Sequence, residues 1–166
     1  MILTIDDWIF DTDVTATMAY SAQEAAEHYD CGYCRNFYAA VDSVYPELRP
    51  FLTQFGIDVE APDCMSPIPY SEEAVGYDPE YIVIGRLVQQ GSFEIDMGKL
   101  HILAEVPKKG TYPYDRLPKG TPCFMLYVNN MILPWVLNEP MDTVESPAND
   151  PSLISELLDK LSGTKS

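Results

Sequence analysis

Apolar positions along the chain switch between a two-residue and a near-helical period, and the switches mark the elements. In residues 1–10, Leu3, Ile5 and Ile9 fall on odd positions with Asp7 interrupting, which predicts a strand that ends at residues 11–13. Residues 21–27 are rich in Ala and Glu and predict a short helix started by Ser21, with only alanine on its apolar face. Cys34, Phe37, Val41 and Val44 recur at near-helical spacing and predict a helix over 34–45. Pro46 breaks that helix or opens a second one, in which Leu48, Phe51, Leu52 and Phe55 form the stripe and Gly56 supplies the C-cap. Two consecutive helices are therefore expected over about 34–55.

The pattern then turns to β. Residues 61–70 hold three prolines and read as a loop or a broken edge strand. Strands are predicted at 81–88, 93–97, 100–106, 123–128 and 131–137, with a hairpin turn at 89–92, a turn at Asn129–Asn130 and a long polar loop over 107–122. Residues 138–150 read as a surface linker. Asp150 and Pro151 then start a last helix over 151–162, striped by Leu153, Ile154, Leu157, Leu158 and Leu161. Helices segregated from strands predict an α+β fold: a mainly antiparallel sheet, two consecutive helices packed on it, and a C-terminal helix, all within a single domain 1–166.

Composition narrows the classes. The 166 residues are 46% hydrophobic, enough for a core without a disulfide or metal staple. No apolar run reaches the roughly 20 residues of a membrane helix, and the acidic N-terminal stretch does not read as a signal peptide. Ten Lys and Arg face 26 Asp and Glu, a net charge of -16, and no basic residue precedes Arg35. Such a surface repels nucleic acid and anionic membranes, whose recognition rests on basic side chains. It suits either plain solubility or a basic protein partner. The expectation is a cytoplasmic bacterial protein with its four cysteines reduced.

Three constellations offer chemistry. Cys31-Gly32-Tyr33-Cys34 at a helix start is similar to the active-site tetrapeptide of bacterial disulfide isomerases, with Cys31 as nucleophile and Cys34 as resolver. Gly120-Thr121-Pro122 before an apolar strand resembles the cis-proline of that superfamily, which implies Pro122 beside the cysteines. The expected strand directly before the motif is missing, however. Alternatively His28, Cys31 and Cys34 have ligand-like spacing for zinc, with one knuckle where a structural site needs two. Finally Arg35 and Asn36, at the first helical turn, could join an aromatic wall of Tyr33 and Trp135 as an anion cleft. The competing expectation pairs Arg35 with an acid such as Asp30, bonds Asn36 to nearby backbone and buries Trp135. His101 sits on a strand with alternating faces. No P-loop, dinucleotide fingerprint, nucleophile elbow or His-Glu-x-x-His motif occurs, so no cofactor is implied.

The segments Phe10-Asp11-Thr12-Asp13-Val14-Thr15-Ala16-Thr17, Cys31 with Cys34-Arg35-Asn36-Phe37-Tyr38, Phe55-Gly56-Ile57-Asp58, Phe93-Glu94-Ile95-Asp96-Met97 and Leu133-Pro134-Trp135-Val136-Leu137-Asn138-Glu139-Pro140 follow in this order. Together they resemble an uncharacterised family of small acidic proteins from gut-type Firmicutes. That family has no established activity, so the resemblance implies a common pattern and no site. The reading that follows from the residues is a non-enzymatic interaction domain, with thiol–disulfide exchange and zinc binding as alternatives.

Overall fold

A computed structural model describes residues 1–27 and 29–142. The chain runs through β1 (Ile2–Ile5), β2 (Trp8–Thr12), α1 (Val14–Ala26), α2 (Gly32–Val44), α3 (Leu48–Thr53), β3 (Ile68–Pro69), β4 (Ala74–Tyr77), β5 (Glu80–Gln89), β6 (Ile95–Met97), β7 (Leu100–Glu105), β8 (Cys123–Asn129) and β9 (Met131–Pro134). Six strands form one antiparallel sheet in the order β1-β2-β5-β8-β7-β6, and β3-β4-β9 form a second. The fold is α+β. The predicted linker beyond residue 142 and the predicted helix 151–162 lie outside the described residues.

Both faces of the large sheet are covered, so its middle strands β5 and β8 are apolar on both sides, as doubly buried strands must be. One face carries Phe10, Tyr81, Val83, Ile102, Phe124, Leu126 and Val128 against Phe37 and Val41 of α2, Leu48 and Leu52 of α3, and Phe55 just beyond it. Each such side chain contributes about 1.5–3 kcal/mol by leaving water. The opposite face holds Ile82, Cys123 and Met125, with Tyr20 of α1 and Tyr114 and Leu117 of the 107–122 segment packed on it.

Several elements differ from their sequence pattern for identifiable reasons. The predicted first strand is a hairpin, because Asp6 adopts φ 52° and turns the chain with Asp7. The first helix starts at Val14, not Ser21: the Asp13 carboxylate accepts the Ala16 N–H at 3.0 Å and caps it. This helix docks through hydroxyls in place of an apolar stripe. Thr17 Oγ1 accepts the Ile84 N–H at 3.1 Å, and Ser21 Oγ accepts the Asp58 N–H at 2.9 Å. Residues 89–92 do not make a hairpin, since β5 pairs with β2 and β8 while β6 pairs with β7. Instead Gly91 lies against Trp8, whose Nε1 donates to the Phe93 carbonyl at 2.8 Å; a Cβ at Gly91 would stand 2.1 Å from that nitrogen.

Candidate functional site

Helix α2 begins at the cysteine pair. Cys31 is its N-cap, in extended conformation, and its Sγ accepts the Cys34 N–H at 3.2 Å. The two sulfurs are bonded to each other, with Cα atoms 5.2 Å apart, so the expectation of four reduced thiols does not hold for this pair. Cys64 and Cys123 are free, the former exposed and the latter buried. Within the disulfide Cys31 is exposed and Cys34 is 6% exposed. An exchange reaction needs that asymmetry, one sulfur open to attack and one shielded, and the first-turn N–H groups of α2 would stabilise a thiolate at this end.

The four residues read as an anion cleft do converge here, but as a clamp. The chain leaving β9 crosses the start of α2. Trp135 packs edge-on against Tyr33 with centroids 5.8 Å apart and donates from Nε1 to the Glu139 carbonyl at 2.7 Å. The Tyr33 hydroxyl donates to the Asp142 carbonyl. Arg35 joins Asp30 at 3.2 Å and Glu139 at 2.7 Å, so its guanidinium answers two carboxylates. Trp135 is half-buried, not enclosed.

Asn36 is fully buried and serves the edge of β9. Its Nδ2 donates to the Pro134 carbonyl at 3.1 Å, and its Oδ1 accepts the Val136 N–H at 2.8 Å. A carboxamide carries the same donor and acceptor as a peptide group, so Asn36 takes the place of a neighbouring strand. Nine residues along, at the end of α2, the Tyr45 hydroxyl repeats this at Ile132, donating to its carbonyl at 3.0 Å and accepting its N–H at 3.1 Å. Tyr77 completes the clamp by donating to the Tyr33 carbonyl at 2.7 Å, and burial pushes its hydroxyl up to about 12.

Pro122 does not belong to this site. It lies at the start of β8, where its carbonyl accepts the Gly85 N–H at 3.0 Å, in a depression it shares with Asp13 and Arg86. Among the described residues the cis peptide bond is Tyr112–Pro113. The isomerase-like Gly120-Thr121-Pro122 is thus a strand entry whose position follows from pairing with β5. Among the described residues no strand leads into the cysteines either; α1 is the element before them. Of the zinc candidates, His28 lies outside the described residues, and among those described no three His, Cys, Asp or Glu side chains gather as a cation site. His101 stands 3.7 Å from Glu94 on the sheet.

A second cluster escaped the sequence reading. Asp63, with its side chain 1% exposed, accepts the Tyr20 hydroxyl and the Ile82 N–H at 2.8 Å, and stands 3.7 Å from Arg116. Arg116 in turn meets Glu24 at 2.8 Å. Burial pushes the Asp63 carboxyl up to about 6 and also raises the Tyr20 hydroxyl. The cluster pins the 107–122 segment across α1. Its bonded side-chain pairs span 43 to 92 residues, and no local spacing announces them.

No family model, curated protein or solved structure matches the chain.

Proposed function

We propose that this is a cytoplasmic interaction domain for a basic protein partner. The observation that carries the reading is the acidic hairpin and helix start: Asp6, Asp7, Asp11 and Asp13 are all exposed within one stretch of a chain whose acids outnumber its bases 26 to 10. Arg35, Arg49 and Arg116 are each held by two or more carboxylates elsewhere, so they do not offset it. Beside the hairpin stand the Met1 ammonium, 3.4 Å from Asp11, and Arg86, opposite Asp11 in the ladder; four carboxylates still leave the surface negative. Complementary charge of this kind steers association and selects the sign of the partner. The test is cross-linking in the source cells, followed by reconstitution with the purified partner. The expected partner presents Lys and Arg at the contact; an acidic or uncharged contact surface would sink the reading.

A second reading is favoured by the Cys31–Cys34 bond, since disulfides in the cytoplasm are mostly transient, catalytic or sensory. In the reduced form, the Cys31 thiolate would attack a substrate disulfide and give a mixed disulfide, releasing one substrate thiolate. Cys34 would then attack Cys31 Sγ, releasing the second substrate thiol and leaving the Cys31–Cys34 bond, which a dithiol reductant reopens. Cys34→Ser should trap the mixed disulfide. An insulin-reduction assay at the level of the buffer would dispose of this reading.

A further inference from the structure

The structure assigns the docking place of that basic partner to the outer edge of β1, where an extended segment adds a seventh strand to the large sheet. This rests on the interaction reading above and goes further in naming surface and binding mode. Met1 and Thr12 exchange both backbone hydrogen bonds, each at 2.9 Å. Antiparallel pairing alternates, so Leu3 with Phe10 and Ile5 with Trp8 are the other bonded pairs. The peptide groups of Ile2 and Thr4 therefore point away from β2, and nothing among the described residues takes them.

The remaining edges make β1 distinctive. The outer edge of β9 is taken up by Asn36 and Tyr45. The edge strands β3 and β6 have two and three residues. Among the described residues β1, with four residues, is the longest edge strand that no side chain has closed.

Side chains specify the occupant. Leu3 and Ile5 are half-buried at the rim of the main core, so an added strand needs apolar residues on that face. On the other face Ile2 is 59% exposed beside Asp11, and Asp6 and Asp7 close the end of the edge. The fitting segment alternates apolar residues with Lys or Arg, with main-chain bonds giving affinity and side chains giving selectivity. A second copy of this chain would bring its own carboxylates against these, and like charges facing each other across a ladder are destabilising.

The test is amide exchange and chemical-shift mapping on the full chain, titrated with a peptide alternating lysine and valine; one alternating glutamate and valine is the control. In the free protein the Ile2 and Thr4 amides should exchange quickly. The lysine peptide should protect them, and added salt should release it. Thr4→Pro removes an outward N–H and no bond to β2, and is expected to weaken binding about tenfold or more. Thr4→Val keeps the N–H and should bind as the parent does. Should the proline variant not fold, Asp6→Asn with Asp11→Asn carries the test, since Asn suits the positive φ at residue 6 and the pair should weaken binding at low salt only. Ile2 and Thr4 amides already protected in the free chain, or a dimer that Thr4→Pro disrupts, would overturn the proposal. Binding that maps elsewhere and ignores Thr4→Pro would overturn the site while sparing the basic-partner reading. No binding of the lysine peptide, or binding indifferent to salt, would overturn both.

Discussion

Replacing Asn36 by Leu is the sharpest test of how this fold holds together. Leu has the same branched heavy-atom skeleton as Asn, so it leaves no cavity while removing the polar pairing. The Pro134 carbonyl and the Val136 N–H then lose their partners at 3.1 and 2.8 Å, at a position that is 0% exposed. Each orphaned group costs about 1–3 kcal/mol, and water reaches the outer ends of these two, so about 3 kcal/mol in total is expected. For a chain of this size that corresponds to a fall of about 6–12 °C in Tm. Urea unfolding followed by tryptophan fluorescence reports it, because Trp135 follows directly on the bonded edge. Asn36→Asp should be worse, since the carboxylate cannot donate to Pro134 and is itself desolvated. Asn36→Leu with parental stability would refute the reasoning: the β9 edge would then not need its side-chain partner.

Three further outcomes follow from the same geometry. Opening Cys31–Cys34 with a dithiol reductant should cost about 2 kcal/mol, the chain-entropy value for so short a loop, and Cys31→Ser with Cys34→Ser should match it; a urea midpoint indifferent to reductant would contradict a constraining bond. The folded state holds the Asp63 proton more tightly than the unfolded chain does, at about 6 against 3.8, so stability should rise on acidification from neutral pH through about 6 and level off below about 4. That gain is roughly 2–3 kcal/mol. It should shrink in Asp63→Asn, and equal pH profiles for the two proteins would refute the assignment. Gly91→Ala should lift residues 90–93 off Trp8 and break its bond to Phe93, seen as a red-shifted Trp8 emission; an unchanged spectrum would show that the packing gives way freely.

What the sequence disclosed follows from where apolar burial dominates. Phe37, Val41, Leu48, Leu52 and Phe55 face the core as their spacing predicts, and Leu100, Ile102 and Ala104 alternate inward on β7. Prediction failed where polar groups do the positioning. Val14, Thr15 and Thr17 are β-branched and weak helix formers, yet they open α1 because Asp13 caps it and Thr17 bonds to β5. The Gln-Gln-Gly-Ser string read as a hairpin turn, but residues 89–92 make none: Gly91 answers Trp8, 83 residues earlier. At the site, the convergence of Tyr33, Arg35, Asn36 and Trp135 was anticipated, whereas the edge-closing role of Asn36 depends on β9 arriving alongside α2. The Asp63 cluster had no local signature, because it is assembled from α1, the chain before β3 and the segment before β8.

The claim that an acidic face binds a basic partner is tested most directly by the dissociation constant of the reconstituted complex at rising ionic strength. Binding should weaken by about tenfold or more as salt rises from low to physiological levels, mostly through a slower association rate, and Asp6→Asn with Asp11→Asn should flatten that dependence. An affinity that stays constant with salt, in the parent and in the variant alike, would contradict it.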